Sequence, residues 1–197
     1  YTRRDWRNRN MIKTPAGPRW LTIPVRVKGR GLQKICETQV SDPGWSGRHW
    51  SSIVHNYSRA AHFAEYGSFF ESLYLGCEES LLSRINHRFI HAICGLIGIK
   101  TRISFSMEYE LEGERTERLV SLCRKLGATG YITGPAAKNY IREELFEREE
   151  ISLEYMDYSG YPEYRQLFPP FEHQVSIIDL LLNEGPDARK YMKSFGP

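Results

Sequence analysis

Ten residues at the amino end, Tyr1 to Asn10, hold Arg3, Arg4, Arg7 and Arg9, with Trp6, Asn8 and Asn10 set among them. Arginine forks grip phosphate or carboxylate through two parallel hydrogen bonds. An indole face takes a cation, a base or a sugar, and asparagine amides orient polar ligands. This set suits the capture of an anionic small molecule. A solvated basic arm, or an arginine that fastens a loop to the body, uses the same residue types.

A second candidate lies at Ala128 to Ile141, ATGYITGPAAKNYI. It reads as strand, turn and helix. Tyr131 and Ile132 end the strand, Thr133 can cap, and Pro135 suits an early helical position. The free amides at such a helix start favour an anion, and Lys138 can assist. A plain strand-to-helix turn reads the same way, because strong phosphate motifs carry several glycines or a GK[ST] ending and Gly134 stands alone.

Histidine is the side chain best placed to act as a base near neutral pH. His173 lies in FPPFEH beside Glu172, where a carboxylate can orient or activate the imidazole. The pair is therefore the candidate for acid–base catalysis, against a capping or hydrogen-bonding role for His173 and a helix-start role for Glu172. His87 and His91 stand four apart on one helical face, but no glutamate completes an HExxH pattern, and no metal is expected. Cys36, Cys77, Cys94 and Cys123 form no CxxC pair and read as buried free thiols of a reducing compartment.

The 197 residues carry a net charge of only +3, but the charge is uneven. Residues 1–13 hold five cations against Asp5, whereas 143–157 hold seven acids against Arg148. A nucleic-acid binder spreads cations over a broader face, which argues against that class. No apolar run approaches the ~20 residues of a membrane span. A cytoplasmic protein is expected.

The elements that must position these groups alternate along the chain. Trp20 to Val27 is a β-branched run that Pro24 restricts to an edge or a bulge, and Leu32 to Val40 can return beside it after Lys28 to Gly31. Helical spacing follows from Trp45 to Tyr57, over 64–75, and over Glu78 to Ile97. Ile103 to Tyr109 alternates as a strand, and Glu114 to Leu126 is an amphipathic helix that Gly127 closes. Ile151 to Met156 adds a strand and Val175 to Leu182 a last helix. The expected fold is α/β, a single domain over residues 1–197 with a central mixed sheet flanked by helices.

RRDWRNRN with RWLTIPV, then TGPAAKNYI, FPPFEH and SIIDLLLNEGP, resemble in that order the motifs of the WbqC-like family, encoded in bacterial gene clusters for O-antigen and other surface polysaccharides. The resemblance runs from Arg3 to Pro186. It implies that Arg4, Trp6, Asn8, Arg9 and Asn10 bind ligand together with Thr133, Gly134 and Pro135 of the turn. One feature departs from it: proteins resembling this family open with a short strand and a Gln-Pro-x-Phe/Tyr turn, so the native amino-terminal strand and turn are expected to be missing here.

The function the resemblance implies is surface polysaccharide biosynthesis by a transferase. Its substrate is a nucleotide sugar, specifically a nucleotide-activated amino sugar, or another anionic small molecule, and the group attached is acyl or aminoacyl. The alternatives are a non-catalytic sugar- or partner-binding protein of the same pathway and a nucleotidyltransferase-like enzyme. With no serine elbow and no reactive-cysteine setting, direct transfer is favoured over a covalent intermediate.

Overall fold

A computed structural model describes residues 1, 6–30 and 33–195. Arg3 and Arg4, and Gly31 and Leu32 of the expected hairpin, lie outside the described residues. The chain divides into two compact units, residues 1–100 with 161–197, and residues 101–160.

The first unit is built on an antiparallel ribbon, β1 (Arg9–Thr14) and β2 (Gly17–Thr22), in register from Arg9 opposite Thr22 to Thr14 opposite Gly17. Gly17 turns the chain at φ +100°, a backbone region that side chains with a Cβ rarely enter. The Thr14 hydroxyl donates to the Gly17 carbonyl at 2.7 Å across the same turn. Beyond the ribbon, Asn8 continues the pairing: its carbonyl accepts from the Ile23 amide at 2.7 Å, and its Nδ2 donates to the Ile23 carbonyl at 2.8 Å.

The ribbon packs on α1 (Trp45–Tyr57), α2 (Phe63–Leu75), α3 (Leu82–Leu96) and α6 (Ile177–Glu184). Ile12 and Leu21 supply its share of the core, against Ile53, Phe70, Leu82 and Leu181. The helix α1 matches the spacing of Trp45, His49, Ile53 and Tyr57, which all become buried. Ser176 caps α6 by accepting from the Ile178 amide, and Gly185 ends it at φ +54°. A Cβ at Gly185 would run into the His62 ring, so that stop also sets the approach of α6 to the start of α2.

The second unit holds α4 (Thr116–Lys125), β3 (Gly130–Thr133), the single turn α5 (Glu144–Glu147) and β4 (Ser152–Tyr155). The strands β3 and β4 are parallel. Val120, Cys123, Phe146 and Ile151 make its small core, with Tyr131 stacked on Phe146 at 5.2 Å between ring centres. All four cysteines of the chain are free, and Cys123 alone is buried.

Helices and strands are mixed as expected, but among the described residues the sheets are two separate pairs rather than one central mixed sheet. The cause lies at β1. Its edge away from β2 is taken by the Tyr57 hydroxyl, which accepts from the Lys13 amide at 2.8 Å, and by the Ser176 amide, which donates to the Met11 carbonyl at 2.7 Å. With those groups already bonded, no further strand can add there.

Three expected elements also change. The Trp20–Val27 strand stops at Thr22, because Pro24 cannot donate to a ladder. Among the described residues, the expected hairpin is reduced to a bridge from Val25 to Val40. The third helix starts at Leu82 rather than Glu78, since the Ser80 carbonyl accepts from the Val40 amide and Leu81 bridges Gln39. Residues 103–109 form a short 3-10 turn at Ser106–Glu108 instead of a strand. Its backbone bonds run from Glu108 to Phe105 and from Tyr109 to Ser106, and alternation without a partner strand makes no ladder.

The carboxylate of Asp179, with no exposed surface, binds these parts together. Its Oδ2 accepts from the Tyr57 hydroxyl at 2.7 Å, and its Oδ1 accepts from the Tyr164 hydroxyl at 2.7 Å, Gln166 Nε2 at 3.1 Å and Asn183 Nδ2 at 3.3 Å. Burial, followed by the adjacent Asp179 charge, pushes the pKa of both tyrosine hydroxyls well above the ordinary range.

Asp179→Ala leaves those hydroxyls without their acceptor and should cost about 3 kcal/mol in chemical denaturation, with Tyr57→Phe costing about 1 to 2. His49 supplies a pH test. Burial holds its imidazole below the ordinary 6.5, while the Thr22 carbonyl 3.1 Å from Nε2 works the other way. A depressed basic group binds fewer protons folded than unfolded. Stability should therefore fall as pH drops through 6.5 and level off below the folded-state value, and this slope should flatten in His49→Gln.

Candidate functional site

Side chains at alternate positions of a strand share a face, so Arg9, Met11 and Lys13 of β1 project to one side of the ribbon, as do Trp20 and Pro18 opposite them. On that face the Arg9 guanidinium lies 4.3 Å from the centre of the Trp20 ring. Trp20 is half exposed, and Arg9 Nε is buried without a hydrogen-bond partner. Just before β1, the Arg7 guanidinium sits 4.5 Å over Trp6, an indole that is 72% exposed. The expected basic arm is therefore a short 3-10 turn, Trp6–Asn8, running into a strand.

The asparagines separate. Asn8 is buried, and its Oδ1 has no hydrogen-bond partner. Asn10 is exposed, and its Oδ1 accepts from the neighbouring Met11 amide at 2.8 Å.

The FPPFEH loop is tied directly to β1. Lys13 Nζ donates to the Pro170 carbonyl, and the Ser176 amide reaches Met11, so strand and loop are joined at both ends of the contact. Gln166 holds the loop from its other side: Nε2 donates to the Glu172 carbonyl at 2.9 Å and to Asp179, while Oε1 accepts from the Glu172 amide at 2.9 Å. The structure thus fastens the loop that carries Glu172 and His173 to the strand that carries Arg9.

Within the loop, Glu172 and His173 do not bond to each other. The Glu172 carboxylate accepts from the Gln174 amide at 2.8 Å and shapes the turn before α6. His173 is exposed, with its ring edge-on to Phe171 at 4.6 Å between centres. Any general-base role for His173 therefore acts from an open imidazole rather than from a carboxylate-oriented dyad.

The turn at Thr133, Gly134 and Pro135 belongs to the second unit. The expected helix after it is a five-residue 3-10 segment, Pro135–Asn139, capped by Gly134 with no side-chain bond, so Thr133 does not cap and no long helix dipole is assembled. The Ala137 amide is spent on the Gly134 carbonyl at 3.0 Å. Lys138 Nζ lies 4.9 Å from the centre of the Tyr155 ring. The Tyr155 hydroxyl donates to Glu143 at 2.6 Å, and this hydrogen bond, ahead of burial, pushes its pKa up to about 12.

Two residues of the first-unit site escaped the sequence reading, Lys13 and Asp179. The signal for Asp179 was present: one acid stands alone inside the apolar run Ile177–Leu182. Lys13 gave less, because a lysine after Met11 and Ile12 reads as the polar side of an edge strand.

Among the described residues no helix is long and apolar enough to cross a membrane, and no group of three or more His, Cys, Asp or Glu is arranged to hold a metal. The molecule is thus a mixed helix–strand protein whose first unit presents a cation-and-indole ribbon face fastened to a histidine loop. The chain belongs to the WbqC-like protein family, whose profile matches residues 1–191. It is 47% identical over 193 residues to the uncharacterized protein Rv1507c of Mycobacterium tuberculosis, a match that covers 98% of this chain and 84% of that protein. No solved structure matches the chain.

If Gln166 is what holds the loop, Gln166→Ala should cost about 1 to 3 kcal/mol and raise amide hydrogen exchange across 168–174 while leaving α1 protected. Equal exchange in both proteins would assign the loop's order to the Lys13 and Ser176 contacts instead.

Proposed function

We propose that this protein is a cytoplasmic transferase of surface polysaccharide biosynthesis that acts on a nucleotide-activated amino sugar and attaches an acyl or aminoacyl group to its amine. Membership of the WbqC-like family supports the pathway. The observation that carries the ligand is Arg9, stacked on the half-exposed Trp20 with a buried Nε that nothing in the described protein satisfies. A guanidinium held over an indole is placed to meet an anionic oxygen, and the exposed indole of Trp6 suits a base or sugar.

In this reading Arg4 and Arg9 hold the diphosphate, Trp6 stacks on the sugar or base, and Asn8 and Asn10 fix hydroxyls. Asn8 Oδ1 is the stronger candidate of the two, since Asn10 Oδ1 is already bonded to the Met11 amide. Thr133, Gly134 and Lys138 stay as candidates of the second unit, through turn amides and charge rather than a helix dipole.

In the transfer step the sugar amine attacks the activated carboxyl carbon, forming the C–N bond. The leaving group departs with the electron pair of its bond to that carbon. The ammonium proton passes to a base, for which His173 is the candidate, and its exposed ring leaves it accessible to a bound substrate. Lacking a hydrogen bond from His173, Glu172 acts by holding the loop.

A non-catalytic sugar-binding role is the second reading. It is favoured by the same exposed Trp6 and Trp20, which suit stacking without any chemistry.

Thermal shift with UDP-linked amino sugars tests the ligand, since a molecule that binds only the folded state raises its melting temperature. Arg9→Ala should weaken binding by about tenfold or more, in line with the loss of a charge-assisted hydrogen bond, without unfolding the protein. An equal shift in wild type and variant, or none with any nucleotide sugar, would remove this reading. Turnover lost in His173→Asn with binding kept would favour transfer over binding alone.

A further inference from the structure

Lys13 is only 3% exposed, and among the described residues its ammonium has a single hydrogen-bond partner, the carbonyl of Pro170. Among the described residues no carboxylate forms an ion pair with it. The nearby buried carboxylate, Asp179, is already bonded to Tyr57, Tyr164, Gln166 and Asn183. An ammonium has three donors, so two of its N–H groups are left without an acceptor among the described residues.

This arrangement is expensive if it serves the fold alone. A cationic side chain taken out of water is destabilising unless a counter-charge or a full set of acceptors offsets it. A neutral donor would hold the Pro170 carbonyl as well without that cost. Arg9, on the same ribbon face, has its own buried Nε without a hydrogen-bond partner, and among the described residues no carboxylate forms an ion pair with it. Two cations short of acceptors on one strand face, with the half-exposed Trp20 on that face too, form a surface that lacks its negative partner rather than one that is internally balanced.

We propose that Lys13 is an anion-binding residue at the junction of β1 and the FPPFEH loop, where its two free ammonium protons take the oxygen of a phosphoryl or carboxylate group of a small-molecule ligand. The Pro170 bond fixes the ammonium, and the ligand supplies the missing acceptors. Because the loop also bears His173, an anion on Lys13 lies against the segment that carries the candidate base. The inference stands on Lys13's own burial and bonding and does not depend on the ligand being a nucleotide sugar.

The test uses the full chain and two simple probes, inorganic pyrophosphate and propionate, each compared with sodium chloride at equal ionic strength. Wild type should gain melting temperature with at least one probe, and which one responds separates a phosphoryl from a carboxylate ligand. Lys13→Met keeps the length and removes the cation. It should melt at or above the ligand-free wild type and bind the active probe at least about tenfold more weakly, as loss of a charge-assisted contact predicts.

A Lys13→Met protein that melts lower and keeps the full probe response would show that Lys13 only straps the loop, and the proposal fails. It fails also if neither probe shifts the wild type. Should Lys13→Met not fold, nitrogen-15 lysine side-chain resonances of the wild type decide the matter: movement of the Lys13 signal on titration with pyrophosphate or propionate supports the proposal, and a fixed signal overturns it.

Discussion

A carboxylate with no exposed surface must find its hydrogen bonds inside the protein, and Asp179 draws four side chains to itself for that reason. The four donors come from three stretches: Tyr57 ends α1, Tyr164 and Gln166 precede the FPPFEH loop, and Asn183 is one turn further along α6. Tyr57 then uses its oxygen a second time, accepting from the Lys13 amide at the free edge of β1. One buried charge thus sets the distance between helix, loop and ribbon. Its removal affects three elements at once, whereas loss of one apolar contact is absorbed locally.

That constraint explains why the ribbon has two strands and why its cations are left for other uses. A β-edge carries unpaired amides and carbonyls that would recruit another strand. Here a hydroxyl and the Ser176 amide take those groups, so the loop lies where a third strand would have been. The loop brings a carbonyl to Lys13 but no carboxylate, and Arg9 meets an indole rather than an acid. Charge that the fold does not neutralise is charge available to a ligand. In the second unit the cation at Lys138 has an aromatic face, and Arg142 and Arg124 are ion-paired with Glu117 and Glu149, so the same argument is weaker there.

Helices were the most legible part of the fold. Trp45 to Tyr57 appears with the bounds its periodicity gave, and Gly127 and Gly185 end helices at positive φ as their positions imply. Strands were less legible, because a strand exists only where another segment pairs with it. Ile103 to Tyr109 alternates and has no partner, whereas Arg9 to Thr14 does not alternate cleanly and is a strand, since the loop covers Lys13 on one face while the core covers Ile12 on the other. For the candidate site, the basic motif and the FPPFEH loop could both be picked out by residue type, but their attachment to each other through Lys13 and Ser176 could not. Glu172 and His173, neighbours in the chain, turned out to bond elsewhere.

By itself the sequence determined the residue chemistry, the helical periods, the glycine stops and the family motifs, because each depends on contacts within a few residues or on identities alone. Only the tertiary structure decided which strand edges were closed, which carboxylate was buried and which cations have no ion pair among the described residues. Those outcomes depend on pairings between positions more than a hundred residues apart, such as Tyr57 with Asp179 and Lys13 with Pro170, and no local pattern encodes them.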